Sequence, residues 1–330
     1  MPRVIQRRYG NALIVDNADY RVMVSSEAVR KRYPSEADKL RVALVDLTGN
    51  KLCRPGYAGW GSTWPMPGGS TAKIAIVYAA HQLLFDLAEM ARAGGISTAA
   101  ALKSAAASAW SGLSCKPDVD WLVTIDASTT PVGVAASANL TRHLDEMVDA
   151  SFSDVSTSRA SELILRIGFE YIASLMWQSG LRHPTRAGLW LGNLFMDVSF
   201  TAKTSPTCHS GTNPVSWKQN PLGATGITLT GLSAATYFTL LAQGRLVNPT
   251  TSTRIEALLR KGCRFISIPG ATVRATKCGL TSSVRHDAAL IENGSRRYVM
   301  VVLTKNASWS LNVRDRFLND LDRLIKDNNP

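Results

Sequence analysis

A chain of 330 residues, 45% hydrophobic and 19% charged, has the globular profile and enough material for a substantial core. Lys and Arg number 37 against 25 Asp and Glu, and the net charge of +12 raises nucleic acid, anionic surfaces and anionic small substrates as partners. The basic residues are scattered, as at Arg7, Arg8, Arg30, Lys31, Arg32, Arg296 and Arg297, with no zinc-finger or RNA-binding aromatic motif; this argues against nucleic acid and for a solvated surface. No apolar run reaches the roughly 18 uncharged residues of a membrane span. The five cysteines, Cys53, Cys115, Cys208, Cys263 and Cys278, form no C-x-x-C pair. Neither a disulfide framework nor a zinc site is expected from them, and at least one thiol should be free. The first residues lack a continuous apolar segment, so the sequence reads as cytoplasmic, or as a periplasmic or secreted product already trimmed of a signal.

In chain order, residues 40–59 predict a β-hairpin turning at Thr48-Gly49-Asn50. A loop rich in Gly, Pro and Trp follows. The strongest helical segment begins at Ser70 and closes at Gly94-Gly95. Apolar residues at three- and four-residue spacing predict further helices over 98–110, 139–150, 158–177 and 232–247. Between the last two lies an irregular stretch, 179–226, of a length uncommon in compact domains unless it is functional. The end returns to strands over 271–279, 284–292 and 296–305, with a turn at Asn293-Gly294. A last amphipathic helix carries Phe317, Leu318, Leu321, Leu324 and Ile325 on one stripe. Strands at both ends with helices between them predict an α/β (α+β) protein: an antiparallel sheet domain of residues 1–72 and 226–330, a mostly helical domain of 73–225, and a cleft between them.

Ser70-Thr71-Ala72-Lys73 is an S-x-x-K at the start of the buried helix. Residues three apart share a helix face, so the Lys73 amine can reach the Ser70 hydroxyl. Burial and a neighbouring cation would lower the lysine pKa enough for it to act as a base. The helix start also supplies a backbone N–H for an oxyanion. No other lysine of the chain follows a serine at this spacing. A second element, Lys277-Cys278-Gly279, sits in a predicted edge strand. Lys277 would bring positive charge beside the nucleophile, Gly279 would let a substrate backbone approach, the Leu280 N–H would complete an oxyanion hole with that of Ser70, and Arg285 would bind a substrate carboxylate.

These residues resemble the serine β-lactamase and penicillin-binding transpeptidase superfamily, with its S-x-x-K, S-D-N and K-T-G signature. The resemblance extends, in the family's order, to an opening hairpin at 41–59, a late helix pair at 226–262 and closing strands at 277–305. It implies a serine hydrolase or acyltransferase acting on an amide, ester or β-lactam carbonyl, with no cofactor, and a small-molecule or peptide-like substrate that can carry a carboxylate. Residues 144–168 are similar to the segment bearing the middle motif, which puts Ser156 at the proton-relaying serine and Ser158 where the family has asparagine. Ser153-Asp154-Val155 and Ser137-Ala138-Asn139 are rival matches. Cys278 stands where the family has threonine or serine, which removes a hydroxyl from carboxylate recognition; its thiol reads as a redox-sensitive side residue or as inert packing, of which inert packing is expected. No glutamate occurs between Glu170 and Glu256 to activate a deacylating water, and Asp197 is the only acid there. Deacylation would then fall to Lys73 or Ser156, or the acyl group would pass to another acceptor. These departures keep a second reading open, a catalytically weakened binding or structural module. His81 reads as a core histidine, Cys208-His209 lacks a second ligand pair, and Trp60, Trp64, Trp177, Trp190 and Trp217 fall in or beside the two long loops.

Overall fold

The computed structural model describes residues 15–16, 31–33, 37–52, 55–149, 153–183, 187–196, 226–305 and 311–327. Asp197, Cys208-His209 and Trp217 lie outside them. A six-stranded sheet organises the rest. Its strands are β1 (Val15–Asp16), β2 (Leu40–Asp46), β3 (Gly56–Trp60), β11 (Thr272–Leu280), β12 (Val284–Asn293) and β13 (Arg296–Lys305), in the order β1-β3-β2-β13-β12-β11. All neighbours are antiparallel except β1 with β3. The sheet joins the two ends of the chain, since β13 pairs with β2 across residues 298–304 and 40–46.

The central strands are buried on both faces, which explains why they read as near-continuous apolar runs. Along β13, Val299, Val301 and Leu303 enter one core while Tyr298, Met300 and Val302 enter the other. On β2, Ala43 and Val45 oppose Leu40, Val42 and Leu44 in the same way. The second core is closed by the last helix, Leu311–Asp327, whose Phe317, Leu318, Leu321 and Ile325 are buried against the sheet.

The first core holds the helices. The longest, α1 (Ile74–Gly94), ends with Gly95 in the left-handed conformation at φ 58°, which a glycine adopts without a Cβ clash. Its length and composition would suffice to cross a membrane, but here it is a core helix, and Lys73 and Asp86 bound its uncharged run. After it come α2 (Ala99–Ala109), α3 (Val119–Leu122), a small hairpin of β5 (Val123–Asp126) and β6 (Gly133–Ala136), and α4 (Ala138–Val148). The segment expected as one helix over 158–177 is two, α5 (Asp154–Ile167) and α6 (Phe169–Gln178). They are broken at Gly168, whose φ of 90° disfavours any other residue and whose Cβ would lie 2.8 Å from the Cys115 carbonyl oxygen. The described parts of the irregular stretch form short strands β7 (Arg182–His183), β8 (Ala187–Gly188) and β9 (Trp190–Leu191). Strand β9 joins β4 (Met66–Pro67) and β10 (Ile227–Leu229) in a three-stranded sheet. Two more helices, Gly231–Ala242 and Pro249–Leu259, lead back to β11.

The cysteine expectation is corrected. Cys263 and Cys278 form a disulfide, so Cys278 is not a free thiol. Sequence spacing could not show this, because the segment after Pro249–Leu259 doubles back alongside β11, where Thr276 Oγ1 donates to the Cys263 carbonyl at 3.3 Å. Cys115 is disulfide-bonded as well.

Candidate active site

Ser70 does not begin the α-helix directly. It lies in a 3-10 turn, Gly69–Lys73, that feeds α1 and opens with Gly69 at φ 49°. This turn packs on β11 backbone to backbone. A Cβ on Gly279 would lie 2.6 Å from Thr71 Oγ1, 2.9 Å from Thr71 N and 3.1 Å from Ser70 N. The glycine of the K-x-G element thus admits the turn that carries Ser70, where the sequence suggests room for a substrate backbone.

Ser70, Lys73, Ser156, Thr157, Cys263, Lys277 and Leu280 line one pocket of about 340 Å³. Three elements converge there: the 3-10 turn, the first turn of α5, and the end of β11 with the segment before it. Lys73 is buried and its Nζ donates to Ser156 Oγ at 3.0 Å, while the Ser156 hydroxyl donates to the Met147 carbonyl at 2.6 Å. Of the three candidate middle-motif serines, Ser156 is therefore the one at the lysine. Ser137 and Ser153 instead cap α4 and α5, accepting from the backbone N–H groups of Leu140 and Ser156.

Burial, and then the like charge of Lys277, lower the Lys73 pKa to about 7. Lys277 is lowered to about 8 by burial, against the pull of Asp287. Its Nζ donates to the Cys278 carbonyl at 3.2 Å and lies 3.7 Å from Cys263 Sγ. Phe195, from the irregular stretch, sets its ring 5.3 Å from Lys73 Nζ and is held by its N–H donating to Ser161 Oγ at 3.1 Å.

Arg285 is placed elsewhere. Its side chain alternates to the other face of β12, stacks on Phe265 at 4.2 Å and borders a second pocket with Arg314 and Leu318. Strand alternation is the reason: its neighbour His286 takes the face toward the Ser70 turn, donating from Nε2 to the Pro67 carbonyl at 2.7 Å while Nδ1 accepts from Thr304 N at 3.1 Å. The sequence reading missed Thr157, Cys263, Phe195 and His286; the pairing of Gly279 with His286 becomes visible only once register is known.

Glu170 sits at the start of α6, accepting from Ser114 Oγ and Cys115 N. No carboxylate is among the described residues lining the pocket. His81 is turned to the Val77 carbonyl at 2.8 Å. Among the described residues no group of three His, Cys, Asp or Glu side chains could hold a metal ion. Trp190 is fully buried with Arg182 stacked on it, and Trp64 is exposed beside Arg41.

Comparison with known proteins bears on the fold. The chain is similar over 93% of its length to a PBP-A variant solved as an acyl-enzyme complex with penicillin G, at 15% identity, covering 96% of that chain, with a TM-score of 0.52. It is similar to a β-lactamase from Xanthomonas campestris pv. campestris at 16% identity, 93% and 98% coverage and a TM-score of 0.51. A β-lactamase from Burkholderia phymatum gives 13% identity, 91% and 98% coverage and a TM-score of 0.51. At these identities the likeness is one of fold. No curated protein matches the sequence. The model of the beta-lactamase enzyme family matches residues 155–328, from the first turn of α5 through the last helix, and the chain belongs to that family.

Proposed function

We propose that the protein is a serine acyl-transfer enzyme acting on an amide, ester or β-lactam carbonyl. The single observation that carries this reading is the buried Lys73–Ser156 hydrogen bond in a pocket that Ser70 also lines. Ser70 Oγ attacks the carbonyl carbon and neutral Lys73 takes its proton. The proton passes through Ser156 to the leaving group, which requires the Ser156 hydroxyl hydrogen to turn away from the Met147 carbonyl. The N–H groups of Ser70 and Leu280 hold the oxyanion, and Lys277 supplies positive potential to a substrate that can bear a carboxylate. The chain then divides into a sheet unit, 1–72 and 226–330, and a helical unit, 73–225, with the site in the cleft between them.

The same pocket favours a slow second half-reaction. With no carboxylate lining it among the described residues, water must be activated by Lys73 or Ser156, or the acyl group must move to another acceptor. A catalytically weakened binding module is the second reading, favoured by Cys278, whose side chain is tied in a disulfide where a substrate-facing hydroxyl would stand.

Intact-protein mass spectrometry after a fluorophosphonate and, separately, a penicillin separates the two. A single adduct absent from Ser70→Ala supports acyl transfer, and a penicillin adduct that persists for hours identifies slow deacylation. No adduct with either reagent leaves the binding module.

A further inference from the structure

The two sulfurs of the Cys263–Cys278 bridge have different surroundings. Cys278 is fully buried within β11, whereas Cys263 is 9% exposed and forms part of the catalytic pocket wall. Thiol–disulfide exchange requires a thiolate to approach one sulfur of the bridge, so access selects the sulfur attacked. Lys277 Nζ, 3.7 Å from Cys263 Sγ, provides a cation to draw an incoming thiolate and to hold the one released.

We propose that the Cys263–Cys278 bridge is a thiol-exchange site built into the catalytic pocket, at which a small thiol attacks Cys263 Sγ and its opening lowers acylation of Ser70. The second clause rests on the proposed acyl-transfer function; the first does not. In the first step a thiolate RS⁻ forms the R–S–S–Cys263 bond and the bridge breaks, releasing Cys278 as a thiolate that takes a proton. A second RS⁻ attacks the R sulfur, forming RSSR and freeing the Cys263 thiolate. Two thiols are thereby oxidised and the bridge accepts two electrons.

The charged groups around the freed thiolate are Lys277 and Lys73 in the pocket, with Asp287 acting on Lys277 from β12. The thiolate pairs with Lys277 and cancels the positive charge that helps keep Lys73 neutral. Lys73 then holds its proton and Ser70 loses its base. The segment carrying Cys263 does not depend on the bridge alone, because the Asp287 carboxylate accepts from the N–H groups of Phe265 and Ile266 and Thr276 donates to the Cys263 carbonyl. Opening therefore changes the charge of the pocket without releasing the strand.

The test uses the folded protein with glutathione or dithiothreitol. Peptide mapping after glutathione is expected to find the mixed disulfide on Cys263. Labelling of Ser70 by a neutral fluorophosphonate at pH 7 is expected to fall about fivefold after dithiothreitol, the change in the neutral fraction of Lys73 that a rise of one unit above its pKa of about 7 produces at that pH. A Cys263→Ser/Cys278→Ser double variant is expected to show no response to dithiothreitol, which separates this bridge from the one at Cys115. Exchange that occurs only in denaturant, or a mixed disulfide on Cys278, overturns the site. Unchanged labelling with both thiols trapped by maleimide overturns the switch. If Ser70 is labelled in neither state, the acyl-transfer reading falls and takes the switch with it, while the mapping still decides the exchange site.

Discussion

Lys73 and Ser156, 83 positions apart, meet in a buried hydrogen bond of 3.0 Å, and the same serine hydroxyl is anchored on the Met147 carbonyl. In the proposed mechanism this oxygen stands between the base and the leaving group. Ser156→Ala should lower the rate of Ser70 acylation by about 10²- to 10³-fold, the usual scale of a lost proton-transfer group. Folding should suffer by only about 1–2 kcal/mol, for a Met147 carbonyl and a Lys73 amine left short of one partner. Labelling rates and a denaturation midpoint read the two effects separately; equal labelling of the variant and the parent would remove Ser156 from the relay.

The two lysines fix the sign of the pH dependence. Lys73 must be neutral to act as a base, and with its pKa at about 7 the acylation rate should rise with pH through that value. Lys277 must be charged to supply its potential, and with its pKa at about 8 the rate should fall again above it. The limbs of this narrow bell belong to the coupled pair. Lys277→Met removes the like charge that is the second cause of the Lys73 shift, so the acid limb should move to higher pH and the alkaline limb should disappear. A pH series of initial labelling rates with a neutral fluorophosphonate tests this, and an acid limb unmoved in the variant would contradict it.

Gly279→Ala should damage both stability and catalysis. The added Cβ would meet Thr71 N at 2.9 Å and Ser70 N at 3.1 Å, and these are backbone atoms that can yield only if the turn shifts. Overpacking of this kind costs about 1–3 kcal/mol, and the shift would misplace Ser70 against the oxyanion donors. Removing the Thr71 hydroxyl would relieve the 2.6 Å contact alone, so Thr71→Ala should not rescue Gly279→Ala. A denaturation curve and a labelling rate indistinguishable from those of the parent would show that β11 and the turn are less tightly apposed.

What the sequence made legible follows from how local each signal is. Ser70 and Lys73 sit in one turn, and Gly95 caps its own helix, so spacing and residue type suffice. The same holds for the stripe around Phe317 and Leu321, whose period is that of one helix face. The place of Arg285 is not legible because the face of a strand residue depends on register, which sets its side chain on the Phe265 side. The bridge between Cys263 and Cys278 was missed because two cysteines without a short motif carry no pairing information until the chain has doubled back. Phe195 reaches Lys73 from a stretch without periodicity, where no pattern could point to it.

His286 offers a test of how the Ser70 turn is held. It is fully buried on β12, its Nε2 donates to the carbonyl of Pro67, three residues before Ser70, and burial lowers its pKa to about 4. A histidine kept neutral in the fold but free to charge when unfolded opposes folding progressively as pH drops. Above the ordinary value near 6.5 both states are neutral and nothing is lost; between there and about 4 the unfolded chain binds the proton that the folded chain refuses, so stability falls with falling pH. The full loss is about 3 kcal/mol, reached near the lower value. His286→Gln keeps an amide donor in reach of the Pro67 carbonyl but cannot titrate. Its stability at neutral pH should be lower than the parent's, because Thr304 N–H loses its ring-nitrogen acceptor, yet its slope between pH 6.5 and 4 should be flatter. Denaturation midpoints measured over that window decide the matter: parallel slopes in the two proteins would mean that His286 charges in the folded state at its ordinary pKa.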